Sequence, residues 1–472
     1  MSPDQAHDQG STRRRLSPAP VLDLDPLLDD RATRIVVCCG SGGVGKTTTA
    51  AALGLRAAER GRKVVVLTID PARRLAQSMG IDSLDNTPRR VKGVDGDGEL
   101  HAMMLDMKRT FDEIVEAHAD GDRAAAILGN PFYQSLSAGF AGTQEYMAME
   151  KLGQLRARDE WDLIIVDTPP SRSALDFLDA PKRLGSFLDG KLIRVLLAPA
   201  KVGGRAGMKF LNVGMSMMTG ALGKLLGGQL LKDVQTFVAA MDSMFGGFRT
   251  RADATYKLLQ APGTAFLVVA APERDALREA AYFVERLAAE DMPLAGLVLN
   301  RVHGSGAAQL SAERALAAAE NLDLVHARAA ENLEESRIVD QDGGKAGLRN
   351  SPDTYGSSES PATDPERDAP TGANRPTATD TDRTASADAN IDADADRTVD
   401  DLTAGLLRLH AERMHLLSRE QRTRDRFTAL HPEVAVSEVA ALPGDVHDLT
   451  GLRDIGNRLA ANRPELPEAA DA

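Results

Sequence analysis

The sequence predicts an α/β fold: a doubly wound, mostly parallel sheet with an inserted helical, Met-rich subdomain. Three observations carry that expectation. Five runs are continuous apolar stretches of strand length, namely RIVVCCG (34–40), KVVVLTID (63–70), WDLIIVDT (161–168), TAFLVVAAP (264–272) and LAGLVLN (294–300). A strand with one wet face alternates polar and apolar residues, so unbroken runs belong to strands covered on both sides. Helical stretches lie between the runs, the pattern of a parallel sheet with crossover helices. A glycine-rich turn joins the first run to a helix, as in phosphate-binding α/β proteins.

Taken in order, residues 1–31 are polar and proline-containing and are expected to be a disordered tail. After the first strand, TTTAAALGLRAAERG reads as a helix closed by Gly61. Residues 100–155 and 178–255 depart from the strand–helix rhythm and read as mostly helical, rich in Met and Gly. The second of these holds Met208, Met215, Met217, Met218, Met241 and Met244. A packed helical core accounts for them; so does an adaptable apolar groove for a hydrophobic client, because Met repacks around varied shapes. Residues 341–397 hold twelve Asp/Glu against six Lys/Arg, and only Leu348, Tyr355 and Ile391 are large and apolar. Such a segment cannot bury enough surface to offset its ordering entropy and is expected to be a disordered acidic insertion. A helix with Leu402, Leu406 and Leu409 on one face resumes at 398, followed by a strand, VAVSEVAAL (434–442), and a terminal helix. The insertion therefore interrupts one domain, 32–340 plus 398–462, and 463–472 form a tail.

The net charge of −13 argues against a protein that coats nucleic acid, although about half of it (12 − 6 = 6) lies in the insertion. No run approaches 18 apolar residues, so no transmembrane helix is expected. The amino terminus, MSPDQAHDQGSTRRRLSPAP, lacks the apolar stretch of a signal peptide. The two cysteines, Cys38 and Cys39, are neighbours in a strand and point to opposite faces, which rules against a disulfide between them. A reducing, cytoplasmic location fits.

GSGGVGKT (40–47) matches the phosphate-loop pattern GxxxxGK[ST] in its proper setting of strand, turn and helix. Gly42, Gly43, Val44 and Gly45 offer backbone N–H groups to phosphate oxygens, and the helix amino terminus adds a favourable dipole. Lys46 reaches the β- and γ-phosphates, the Thr47 hydroxyl ligates Mg²⁺, and Thr48 continues the cradle. Asp167, closing LIIVD, is the carboxylate expected to hold the metal's water shell, and TPPSRS after it suits a γ-phosphate switch. Asp70, closing the neighbouring strand in TIDPARRL, is placed to orient or deprotonate the attacking water, since ligands collect at the carboxyl ends of parallel strands. The same Asp-Pro-Ala spacing also suits a helix N-cap. The expected activity is hydrolysis of ATP to ADP and phosphate.

With GSGGVGKTTT, TIDPARRL, LIIVDTPPS and LVLNRV in hand, the chain resembles the ArsA-type ATPases. That family includes the arsenite-pump ATPase and the Get-pathway ATPase that escorts tail-anchored membrane proteins. It belongs to a wider class with the ParA and MinD positioning ATPases. The motif wording is closest to the actinobacterial members, and the resemblance covers residues 33–340 and 398–462. It implies an ATP-sandwich dimer in which Asp70 activates water and Thr47 and Asp167 hold Mg²⁺. It further implies that Asn300 reads adenine, Glu273 contacts nucleotide, and Leu442 and Pro443 cover the base. The residues alone identify Asn300 only as a strand-end asparagine.

The chain departs from that family in three ways. Ser41 replaces the lysine that reaches across the dimer to the partner's phosphates. Serine has neither the charge nor the length, and a homodimer would forgo two charge-assisted contacts of about 1.5–3 kcal/mol each. The expectation is weak hydrolysis alone, or a heterodimer with a paralogue that retains the lysine. No cysteine cluster exists for a metalloid, and the C-x-x-C pair of a zinc-bridged dimer is absent. The favoured reading is an ATP-driven switch for a hydrophobic or membrane-protein partner. The alternatives are a ParA/MinD-like positioning ATPase and a weakly hydrolysing regulatory subunit. The acidic, proline-broken terminus NRPELPEAADA cannot serve as a membrane-binding helix of the MinD kind.

Overall fold

A computed structural model describes residues 20–69, 74–131, 133–134, 143–169, 247, 250–339 and 384–461. The chain divides into two compact units, one of residues 1–306 with 417–472 and one of 307–416. The elements of the first, in chain order, are α1 (Leu24–Asp29), β1 (Ile35–Cys39), α2 (Lys46–Glu59), β2 (Lys63–Thr68), α3 (Arg74–Ser78), β3 (Arg89–Arg90), β4 (Glu99–Met104), α4 (Met107–His118), α5 (Gly121–Leu128), α6 (Thr143–Arg158), β5 (Leu163–Asp167), β6 (Thr264–Ala270), α7 (Arg274–Ala289) and β7 (Leu294–Val302). Then come α8 (Ala312–Val339) and α9 (Thr384–Leu430), with β8 (Val436–Ala440) and α10 (Leu449–Ala461) completing the first unit.

The eight strands form one sheet in the order β3-β4-β2-β5-β1-β6-β7-β8, parallel except where β3 meets β4. This is the doubly wound α/β architecture that the apolar runs predict. All residues of β1, β5 and β6 are buried, because helices cover both faces. Alternate residues feed two separate cores. Val37, Cys39, Val65, Ile164, Val166 and Phe266 pack on one side. Val36, Cys38, Val64, Ile165 and Leu267 pack on the other, against the alanine-rich α2. Cys38 and Cys39 thus lie on opposite faces as free thiols. Burial pushes the Cys39 thiol up to about 12, and burial with the nearby Asp167 carboxylate raises Cys38.

Three boundaries differ from expectation. Residues 20–31 are not a free tail: α1 buries Leu24 and Leu28, and Val21 bridges to Val436 on β8. The ties are polar as well, for Arg56 grips Asp25 with two hydrogen bonds of 2.6 and 2.7 Å. Second, ELHAMM within the stretch expected to be mostly helical is β4, a strand beside β2. Its neighbour on the other side is only the two-residue β3, so half of its six residues are only partly buried, and a strand of that kind lacks the unbroken apolar signal. Third, α9 starts at Thr384 rather than 398, where five alanines among its first twelve residues give the acidic run helix propensity. The rest of the expected insertion, 341–383, lies outside the described residues. So do the methionines of 178–255; a helical stretch over 250–260, which overlaps the end of that range, is described, with Ala252 and Leu259 buried.

The second unit contains α8 and the part of α9 up to Leu416. Ala315, Ala319, Ala404 and Ala411 are buried, and His326 bonds Asp400 at 2.9 Å. Leu402, Leu406 and Leu409 share an exposed face. Among the described residues, no helix is long and apolar enough to cross a membrane.

Candidate functional site

The central strand β1 delivers the glycine-rich turn between its neighbours β5 and β6, and α2 leaves from the end of the turn. Two glycines are obligatory for space. A Cβ on Gly40 would sit 2.1 Å from the Val269 carbonyl oxygen, and one on Gly45 would sit 2.2 Å from Asn300 Nδ2. Gly45 is also the N-cap of α2 with φ of 95°, a left-handed conformation that glycine adopts without steric cost. Lys46 is buried and its Nζ donates to the Ser41 carbonyl oxygen at 2.7 Å, closing the turn around the lysine. Ser41, standing where the family has its second lysine, is itself buried.

Three strand ends meet beneath this loop. Asp167, at the end of β5, is fully buried, and its Oδ2 accepts from Thr47 Oγ1 at 2.7 Å and from Thr68 Oγ1 at 2.9 Å. Thr68 ends β2 and is a member of the cluster that sequence reading missed. The signal was available, since a polar residue closing an otherwise apolar strand faces the ligand end of the sheet. Thr168 fixes the next residue by donating from Oγ1 to the Cys38 carbonyl at 2.9 Å. Asp70 lies outside the described residues; β2, which leads to it, ends beside Asp167, and Ile69 N–H donates to the Asp167 carbonyl at 3.0 Å.

Beside the loop opens a cavity of about 680 Å³. Gly45, Thr48, Glu273, Asn300, Leu442 and Pro443 line it together, although their sequence positions span four segments. Glu273 is there because it caps α7 just past β6, and Leu442 and Pro443 because they follow β8. Asn300 ends the buried part of β7 and donates from Nδ2 to the Val44 carbonyl at 2.8 Å, linking the cavity to the phosphate loop. Arg301, His303 and Glu420 also line the cavity and were not anticipated. His303 and Glu420 are paired by a 2.6 Å contact between Nδ1 and Oε1.

Gly42, Gly43, Val44 and Gly45 lead into the amino terminus of α2, and helix amino termini in general leave backbone N–H groups that can receive an anion. The Thr47–Asp167 pair lies at the start of the same helix, a hydroxyl and a carboxylate of the kind that serve Mg²⁺ together with phosphate oxygens. Among the described residues, no group of three His, Cys, Asp or Glu is arranged to hold a metal by itself.

A family model for anion-transporting ATPases, the ArsA ATPases, matches residues 33–317. The ATPase GET3 of Podospora anserina is 27% identical over 297 residues, which cover 62% of this chain and 80% of that protein. The ATPase GET3 of Chaetomium globosum matches over the same length at 27% identity. That of Malassezia globosa is 30% identical over 165 residues, 35% of this chain and 47% of the relative. These relatives are fungal, and the actinobacterial likeness read from the motifs finds no support among them.

Proposed function

The chain belongs to the ArsA family of ATPases and is an ATPase, and from that premise we propose that it is a nucleotide-driven dimerising switch for a hydrophobic or membrane-protein partner. The observation that carries the reading is the convergence of Lys46, Thr47 and Asp167 at the carboxyl ends of the central strands, with the cavity alongside. In this reading the N–H groups of residues 42–45 and the Lys46 ammonium bind the β- and γ-phosphates. Thr47 and Asp167 hold Mg²⁺, which neutralises phosphate charge when bound; the hydroxyl–carboxylate pair suits a cation that keeps several waters and binds phosphate. The same reading assigns water activation to Asp70. It assigns the base to Asn300, Leu442 and Pro443, and nucleotide contact to Glu273.

Ser41 bears on the assembly. A buried serine whose carbonyl is bonded to Lys46 cannot extend a charge to a partner's nucleotide. The pairing that restores this charge is a heterodimer with a chain retaining the lysine; a homodimer would hydrolyse ATP slowly, as a regulatory subunit does. The Met- and Gly-rich composition of 178–255 supports the hydrophobic partner, and the two buried thiols fit a reducing, cytoplasmic setting.

Calorimetry and light scattering test this. The chain should bind ADP, Lys46→Ala should abolish binding, and Asp70→Asn should retain binding while turnover falls steeply. ADP with aluminium fluoride should leave the chain monomeric on its own and dimeric with its paralogue. Dimerisation of the chain alone would overturn the heterodimer, and ADP binding that survives Lys46→Ala would overturn the phosphate site.

A further inference from the structure

The cavity holds a second polar device besides Asn300. β7 pairs with β8 in register as far as Asn300↔Val439, then shifts so that Val302 pairs with Ala440. The extra residue is Arg301, with φ of 62°, a left-handed conformation that is costly for a bulky side chain. Bulges with such backbone re-aim the residues that follow and recur beside active sites. Here the residue that follows the strand is His303. Its backbone N–H leaves the ladder and donates to Glu420 Oε2 at 3.3 Å, while ring Nδ1 lies 2.6 Å from Glu420 Oε1. One carboxylate from α9 thus grips both the main chain and the ring of His303.

The grip settles the chemistry of the ring. A carboxylate can only accept, so Nδ1 carries the proton, and in the neutral form of the ring Nε2 is then an acceptor. Glu420 is almost wholly buried, with 10% of its side chain exposed, while His303 keeps 37% and lines the cavity. His303 follows Asn300 by three residues, just past the end of β7. It lines the same cavity together with Asn300, Leu442 and Pro443, the residues to which the nucleotide reading assigns the base.

We propose that His303, oriented by Glu420, reads the base through Nε2, accepting a hydrogen bond from an exocyclic amine and so favouring adenine over guanine. The inference rests on the nucleotide reading of the cavity. Guanine presents a carbonyl oxygen where adenine presents its amine, and two acceptors facing each other leave both unpaired. Glu420 is the positioning residue. In Glu420→Gln, the amide oxygen must accept from the His303 backbone N–H, so the amide nitrogen faces Nδ1. The ring then carries its proton on Nε2 and becomes a donor to the base.

The test is calorimetric titration of ADP and GDP against the full chain and its His303→Ala and Glu420→Gln variants, each checked for wild-type thermal unfolding. His303→Ala should weaken ADP about tenfold and leave GDP nearly unchanged. Glu420→Gln, isosteric and therefore folded, should weaken ADP and strengthen GDP, moving the ratio further than the alanine variant does. Equal losses for both nucleotides, or no loss, would overturn the proposal. Absence of ADP binding by the wild type would instead overturn the nucleotide reading itself, which Lys46→Ala tests independently.

Discussion

Adding one methyl group at Gly45 should separate two costs that the phosphate loop combines. Gly43 and Gly45 both have positive φ, 76° and 95°. An ordinary residue in that region costs about 1–2 kcal/mol, so alanine at either position carries the backbone penalty. The surroundings differ. A Cβ at Gly43 meets nothing within 4 Å, whereas at Gly45 it lands 2.2 Å from Asn300 Nδ2. Asn300 must then move, and its buried bond to the Val44 carbonyl breaks at a cost of about 1–3 kcal/mol. Gly45→Ala should therefore cost about 2–5 kcal/mol in loop stability, against about 1–2 for Gly43→Ala. Titration with ADP reads the difference as a further 5- to 150-fold loss of affinity. The double variant Gly45→Ala/Asn300→Ala vacates the contested space, so the two changes should be non-additive by about 0.5–3 kcal/mol. Equal losses at Gly43 and Gly45, or full additivity in the double variant, would refute the steric argument and leave only backbone strain.

Two further predictions concern the framework. Arg62 is fully buried and its guanidinium donates to the carbonyls of Leu28, Asp30, Thr33 and Asp162, at 2.8, 3.2, 2.5 and 2.6 Å. Arg62→Met should destabilise the first unit by about 3–5 kcal/mol in denaturant unfolding, and a change below 1 kcal/mol would show that water replaces the guanidinium. His101 on β4 packs edge-on against Trp161, and burial holds its imidazole below the ordinary 6.5. The folded state therefore binds fewer protons than the unfolded one. The stability this represents is complete above about pH 6.5 and is lost as pH falls toward the depressed folded value. His101→Phe should flatten the dependence of unfolding on pH in that window, and an unchanged slope would assign the effect to other groups.

The phosphate loop and the five apolar strands were legible in the sequence because they are local. GxxxxGKT needs eight consecutive residues, and a strand covered on both faces is a run of aliphatics whatever its partners. The contacts that make them a site were legible only in part. Motif and resemblance bring Thr47 and Asp167, 120 positions apart, to one site, whereas no motif or periodicity links His303 and Glu420, 117 apart. They meet because β1 lies between β5 and β6, and because a bulge at Arg301 turns His303 out of the ladder toward α9. Both β4 and α1 escaped the pattern for a related reason. Their apolar residues are interrupted by polar ones in segments of only six residues, so they do not signal alone and become core only against β2 and α2. Composition and local spacing determined the fold class, the loop and its lysine. Which distant polar groups share one cavity was decided by strand order, a property that exists only once the chain has closed on itself.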